Sequence, residues 1–347
     1  MILLLTGGTG FFGKALLRLW LEQHRRGIET PEVTVLSRFP EHFLMQHPEF
    51  SDQPWLNLYR GDILNPSTFP VSSSFTHLLH AAADSTIGPQ LTPLERYIQI
   101  VDGTRHLLDY AVTQNIPRFL LTSSGGVYGP QPQDIAQIPE DYNGMPDPLN
   151  PQHTYSIAKR CAEHLCALYH ERYGLATVIA RCFTFVGRDL PLDAHFAIGN
   201  FILDALSAPE ITIASDGTPV RSYMDQRDLA RWLVTLLERG QPGQAYNVGS
   251  DNAITIRDLA HLVRDILAPG KPVHIAARPG NNSFRNRYIP SLIKARDELG
   301  LELQHSLTTA IRETAHYNQR YLTTANTDIR VHSQDNTKFD APKEYRP

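Results

Sequence analysis

An apolar run, Ile2 to Leu5, ends in Thr6-Gly7-Gly8-Thr9-Gly10-Phe11-Phe12-Gly13, and a segment of helical period, Phe11 to Arg26, follows at once. Glycines at this spacing between a strand and a helix leave few folds open. Gly7 permits a tight turn, Gly10 lets a ligand come close to the backbone, and Gly13 lets the helix pack on the strand. The N–H groups of the helix start, those of Phe11 and Phe12 among them, then offer a seat for an anion such as a pyrophosphate.

Further strand-like runs occur at Val33 to Ser37, Leu56 to Tyr59, His77 to Ala82, Arg118 to Ser123 and Ala176 to Arg181. Helical periods separate most of them. Leu16, Leu17, Trp20 and Leu21 share one stripe, and Tyr97, Val101, Leu107 and Leu108 share another in Pro93 to Val112. Strand alternating with helix predicts an α/β chain with a doubly wound parallel sheet. Beyond Arg181 the pattern loosens: loops at Gly187 to Asp193, a helix near Ala194 to Ser207, and a short strand Ile211 to Ala214. Asp225, with Asp228 three residues on, reads as the capped start of a helix. A strand at Ala245 to Val248 and helices at Thr255 to Leu267, Pro290 to Leu299 and Ser306 to Tyr321 complete the pattern. The expected division is a dinucleotide-binding Rossmann domain (1–182 and 222–250), a smaller C-terminal lobe (183–221 and 251–322) and a flexible polar tail (323–347).

Of the 347 residues, 41% are hydrophobic and 20% charged, and the net charge of -4 shows no bias towards polyanions, so no nucleic-acid partner is expected. The first apolar run is too short for a signal peptide, and no stretch nears the roughly 18 to 20 apolar residues of a membrane span. A cytoplasmic protein with no membrane association is the expectation. Cys161, Cys166 and Cys182 are odd in number and sit in patterned segments, which favours free thiols, and no CxxC or CxxH pair suggests a metal.

At the end of the second strand a site for NAD usually carries an acid for the ribose hydroxyl. Here Ser37-Arg38 stands instead, and an arginine suits the 2′-phosphate of NADP. Asp62, before Ile63, reads either as an acceptor for the adenine amine or as a turn cap. Ala81-Ala82-Ala83 leaves room for the middle of a dinucleotide. Tyr155 and Lys159 share a helix face at i, i+4 in His153 to Tyr173. A phenol titrates at roughly pH 10, so work near neutrality needs a positive neighbour, which Lys159 supplies. Tyr155 then exchanges a proton with a substrate hydroxyl as hydride moves at the same carbon. Ser124, just past a strand in Ser123-Ser124-Gly125-Gly126-Val127-Tyr128-Gly129, can polarise the same oxygen.

These blocks, with Asp216-Gly217-Thr218-Pro219-Val220-Arg221-Ser222-Tyr223, resemble the extended short-chain dehydrogenases of the NAD-dependent epimerase/dehydratase family over roughly residues 1 to 300. The resemblance implies catalytic roles for Ser124, Tyr155 and Lys159 and a nucleoside-diphosphate sugar as substrate. Arg221 and Arg278 are then expected on its diphosphate, with Ser124, Thr184 and Asn200 as further substrate contacts. The chain departs from the pattern where dehydratases carry acids, at Gly125 and Gly126. Ile100 and Thr184 replace asparagines of the family blocks. These features favour a nucleotide-sugar epimerase acting through a transient ketone, at C4; the alternatives are an NADPH-dependent 4-keto-sugar reductase and a non-catalytic dinucleotide sensor. A homodimer is expected through Pro93 to Val112 and His153 to Tyr173, because Ala158, Ala162, Leu165, Cys166, Leu168 and Tyr169 extend beyond one stripe.

Overall fold

The computed structural model describes residues 1–71, 74–83, 91–194, 196–276 and 287–332, with side chains to residue 319. The first half runs β1 (Ile2–Thr6), α1 (Phe11–Arg25), β2 (Glu32–Ser37), α2 (Pro40–Gln46), β3 (Leu56–Arg60), β4 (His77–His80), α3 (Pro93–Thr113), β5 (Arg118–Ser124), α4 (Thr154–Tyr173) and β6 (Ala176–Cys182). It continues with β7 (Phe185–Val186), α5 (Ala197–Ser207), β8 (Ile211–Ile213), β9 (Val220–Arg221), β10 (Met224–Asp225), α6 (Gln226–Arg239) and β11 (Gln244–Val248). The end comprises β12 (Ile254–Thr255), α7 (Ile256–Leu267), β13 (Val273–Ile275), β14 (Arg287–Tyr288), α8 (Ile293–Leu299) and α9 (Leu307–His332).

Seven strands form one parallel sheet in the order β11-β6-β5-β4-β1-β2-β3. Both faces are apolar because helices cover both. Leu3 and Leu5 pack with Trp20 of α1 and with Leu229, Leu233 and Leu236 of α6. Leu4, between them in sequence, points the other way and packs with Leu107 and Leu108 of α3 and Ala158 and Ala162 of α4. From β1 the chain goes first to β2 on one side and later to β4 on the other. That reversal opens a crevice at the carboxyl ends of β1 and β4, where α/β sheets take ligands.

A third core lies above this edge, formed by Val186, Ile198, Phe201, Ile202, Ile211, Ile213, Leu259, Val263 and Ile311. Short strands knit this region: β9 pairs with β12 and β14, and β8 with β13.

Several sequence expectations need correction. β4 ends at His80 rather than Ala82, although Ala81 N still bonds the Thr6 carbonyl at 3.0 Å. α5 starts at Ala197, and α8 starts at Ile293 because Pro290 and Ser291 pair with Ile138 instead. Asp225 caps α6 through Arg227 N at 2.7 Å, but Asp228 is fully buried and accepts from Gln304 N and His305 N. Asp228 thus anchors the segment before α9 rather than facing solvent. α9 runs on to His332, past Thr323 where a tail was expected, since residues 320–332 contain neither Gly nor Pro to stop it. On α4, Ala158, Ala162 and Cys166 are buried within the chain and are not surplus surface; Leu168, 44% exposed, is. All three cysteines are free. No helix of the described residues is long and apolar enough to cross a membrane.

Candidate active site

The glycine turn is shaped by close backbone approach. Gly7 has φ +74°, and a Cβ there would lie 2.5 Å from the Ala81 carbonyl, at the gap between β1 and β4. A Cβ on Gly13 would sit 2.2 Å from Gly8 Cα. Gly8, which the sequence reading passed over, is equally constrained, because a Cβ would meet Val35 of β2 at 2.5 Å. Gly10 differs: a Cβ would meet only the Gly7 oxygen at 3.4 Å among the described residues. Gly10 also precedes α1 without a capping side chain, so the first N–H groups of α1, which have no intrahelical acceptor in any helix, gain no side-chain cap from Gly10. This cradle fits a dinucleotide pyrophosphate. The rings of Phe11 and Phe12 instead pack on Phe185, with centroids 6.4 and 5.2 Å away.

Along the cradle, Arg38 is exposed at the end of β2 and Ser37 Oγ accepts from Phe39 N at 3.3 Å. Asp62 takes the turn-cap role, its Oδ1 accepting from Leu64 N at 2.9 Å. Ile63 is buried against Gly103 of α3, where a Cβ would meet it at 2.7 Å. Ile100 is likewise buried, so α3 presents no side-chain amide at that position. Beneath Ala81 to Ala83 lies His80, 1% exposed. Thr104 Oγ1 donates to the Ile100 carbonyl at 2.6 Å, so it accepts from His80 Nε2 at 3.2 Å. That leaves Nδ1 to accept from Thr6 Oγ1 at 2.7 Å. Burial together with the Lys159 charge depresses the pKa of the ring to about 3, and it is the neutral ring that takes these roles.

Ser124 is the last residue of β5, and its Oγ accepts from Gly126 N at 3.0 Å. The hydroxyl hydrogen is left to donate outward. Tyr155 follows the turn Pro151–His153 that opens α4, and its side chain is partly buried. Burial pushes its phenol above the ordinary range. Lys159, 2% exposed, donates to the Thr122 carbonyl at 2.8 Å, and its Nζ lies 5.9 Å from the Tyr155 ring centre. Burial lowers that ammonium to about 8, still charged at neutral pH. Helix periodicity thus sets Tyr155 beside Lys159, and Lys159 is tied to β5 two residues before Ser124. The arrangement can move a proton at one oxygen while donating a hydrogen bond to it.

The glycines after Ser124 are not spare room. A Cβ on Gly125 would lie 2.6 Å from the Tyr288 hydroxyl and 2.7 Å from the Phe183 ring, and one on Gly126 would lie 2.5 Å from Ser156 Oγ. Tyr288 arrives on β14, beside Arg221 of β9, and its ring centre is 4.5 Å from that of Phe183. Sequence reasoning missed Tyr288, because a two-residue strand carries no periodic signal. Arg221 is partly buried and donates to its neighbour's Val220 carbonyl at 2.8 Å.

Two expected substrate contacts are engaged elsewhere. Thr184 donates its hydroxyl to the Ser222 carbonyl, tying β7 to the β9–β10 turn. The side-chain amide of Asn200, on α5, faces the carbonyls of Leu192 and Ala194 at 2.9 and 2.6 Å, and it donates to both when its nitrogen is assigned to that side. Arg278 lies outside the described residues. A separate cavity of about 450 Å³ opens behind α4, bordered by Tyr128, Glu140, Arg160, Glu163 and Arg181.

Residues 3–249 match the model of the NAD dependent epimerase/dehydratase family. A dTDP-glucose 4,6-dehydratase of Streptomyces antibioticus is 28% identical over 322 residues, covering 90% of this chain and 91% of the relative. UDP-glucuronic acid decarboxylase 3 of Arabidopsis thaliana is 29% identical over 302 residues, 87% of this chain and 84% of that protein. Among solved structures, a dTDP-glucose 4,6-dehydratase from Streptomyces venezuelae with NAD bound is similar at a TM-score of 0.78 and 25% identity. It covers 93% of this chain and 98% of that one.

Proposed function

The chain belongs to the NAD dependent epimerase/dehydratase family, and from that premise we propose that it is an NAD(P)-dependent nucleotide-sugar epimerase working through a transient ketone at C4. The observation that carries this reading is the convergence of Ser124, Tyr155 and Lys159 next to two glycines whose positions are filled from outside. An acidic side chain at 125 or 126, of the kind that assists elimination, is absent here, and one would enter only if the Tyr288 hydroxyl and the Phe183 ring, or Ser156 Oγ, moved aside.

Gly7, Gly10, Gly13 and the start of α1 would hold the pyrophosphate of the dinucleotide, with Ala81 to Ala83 beneath its middle portion. Bound there, the nicotinamide supplies the hydride acceptor and, when oxidised, a positive charge. Tyr155 removes the hydroxyl proton from the sugar carbon being oxidised and returns it when the ketone is reduced. Ser124 donates a hydrogen bond to the same oxygen throughout. Lys159, with its Nζ 5.9 Å from the Tyr155 ring centre, is the cation placed to lower the cost of the phenolate, which burial alone would raise. Arg221 contacts the substrate diphosphate, for which its planar fork is suited.

A second reading, an NADPH-dependent 4-keto-sugar reductase, is favoured by the exposed Arg38 at the end of β2, where a 2′-phosphate would be met. Purified protein incubated with UDP- and dTDP-hexoses, with and without added NADPH, separates the two. Interconversion of epimers without net consumption of reductant supports the epimerase. Stoichiometric NADPH oxidation with a 4-keto sugar nucleotide supports the reductase, and turnover of neither would overturn both.

A further inference from the structure

One buried charge cluster beside the candidate site has no part in the chemistry above. Glu163 follows Lys159 by one turn of α4 and is 8% exposed. Its carboxylate accepts from Ser123 Oγ at 2.5 Å and from Arg181 Nη2 and Nε of β6 at 2.8 and 3.1 Å. Arg181 also donates to the Tyr128 hydroxyl at 2.9 Å and to the Glu140 carbonyl at 2.9 Å. Ser123 and Arg181 are cross-strand partners, and Ser124 is the next residue along β5. Stability alone does not call for this arrangement, since a buried ion pair is on average no better than apolar packing of the same volume.

We infer that Glu163 is a positioning residue of the reaction site: its carboxylate is the counter-charge that keeps the adjacent, buried Lys159 ammonium protonated and directed at Thr122 and Tyr155. The inference rests on the proposed role of Lys159 as the cation that favours the Tyr155 phenolate. Groups acting on Lys159 come from several elements. On α4 they are Tyr155, Glu163 and Cys166; on β6, Cys182, with Arg181 beyond Glu163; on β4, His80; on β5, the Thr122 carbonyl. Burial keeps both thiols and the Tyr155 phenol un-ionised and His80 neutral. Among these groups Glu163 is the carboxylate, ion-paired with Arg181. Arg181 carries the opposing charge and, with Ser123, holds the carboxylate in place. Without that carboxylate, desolvation and Arg181 would both disfavour the Lys159 ammonium.

The test reads Lys159 directly. Side-chain lysine ¹³C/¹⁵N labelling, with the signal assigned through Lys159→Arg, follows its titration in the full-length protein without any ligand. Glu163→Gln keeps the shape and an acceptor for Arg181, and should lower the Lys159 midpoint by about one pH unit or more. Glu163→Asp, which keeps the charge, should stay near wild type. An unchanged midpoint in Glu163→Gln, or equal shifts in Gln and Asp variants, would overturn the inference and leave a packing role. Should Glu163→Gln not fold, Arg181→Gln decides: a raised midpoint supports the inference, and an unchanged or lowered one rejects it. In turnover, Glu163→Gln should move the alkaline limb of kcat to lower pH with little change in KM. Absence of turnover on nucleotide sugars by the wild type would reject the proposed function, while the Lys159 titration would still decide the role of Glu163.

Discussion

Replacing Asp189 by asparagine should destabilise the protein strongly, because this side chain joins the glycine-turn helix to the segment that follows β7. Its carboxylate, 1% exposed, accepts from Arg18 Nε at 2.8 Å and Nη2 at 2.9 Å, and Lys14 Nζ stands 3.5 Å away. Gln226, the first residue of α6, donates to it at 2.6 Å and accepts from the Asp189 N–H at 3.2 Å. Burial would raise the pKa of this acid, yet Arg18, Lys14 and Gln226 hold it at about 2 against an ordinary 3.8. That difference of about 1.8 units corresponds to about 2.4 kcal/mol at 1.36 kcal/mol per unit. The neutral amide of the Asp189→Asn variant would also leave Arg18 with Glu49 as its remaining carboxylate and strand part of a buried charge, so a loss of about 3 kcal/mol is expected. The sign with pH follows from the depressed folded pKa: the contribution is whole above the unfolded pKa and fades as pH falls from about 4 towards 2. By pH 3 about half of it should be gone. Urea denaturation followed by the fluorescence of Trp20 and Trp232, both buried, measures the gap between wild type and variant. A gap under about 1 kcal/mol at pH 7, or one that does not narrow between pH 5 and pH 3, would refute the reasoning.

Other outcomes follow from the same structure. Tyr155→Phe removes one hydroxyl from a helix that otherwise keeps its packing, so turnover should fall by roughly 10²-fold or more with dinucleotide binding retained; near-normal rates would reject Tyr155 as the proton carrier. Arg38→Asp should shift preference from NADP towards NAD, since a carboxylate repels a 2′-phosphate and accepts from a free 2′-hydroxyl; equal affinities before and after, by fluorescence titration, would place Arg38 outside the pocket. A homodimer through α3 and α4 is expected on the strength of Leu94 and Ile98 on α3 and Leu168 on α4, which are 68%, 40% and 44% exposed. Sedimentation at micromolar concentration should show twice the 39.0 kDa chain mass, and a single species at the chain mass would reject the dimer.

What the sequence by itself determined is whatever local periodicity and local sterics dictate. Apolar runs interleaved with amphipathic segments specify a parallel sheet covered on both faces, because each such strand must bury both its sides. The turn from Thr6 to Gly13 was legible because Gly7 and Gly13 answer to backbone contacts a few residues away or across one strand pair. Tyr155 and Lys159 were legible because a helix places i and i+4 together whatever surrounds it. The tertiary structure alone decided everything that depends on which distant ends meet. Asp62 became a turn cap, and Thr184 and Asn200 became ties between loops, since a short polar side chain bonds the nearest open backbone group. Tyr288 reached Gly125 only because β14 pairs with β9 in the upper layer. Arg18 met Asp189 across 171 residues of chain, and Arg181 met Glu163 because adjacent elements of the sheet and its covering helix share a face. Pairings of this kind leave no trace in sequence spacing, because burial of a charge selects its partner by proximity in space and not along the chain.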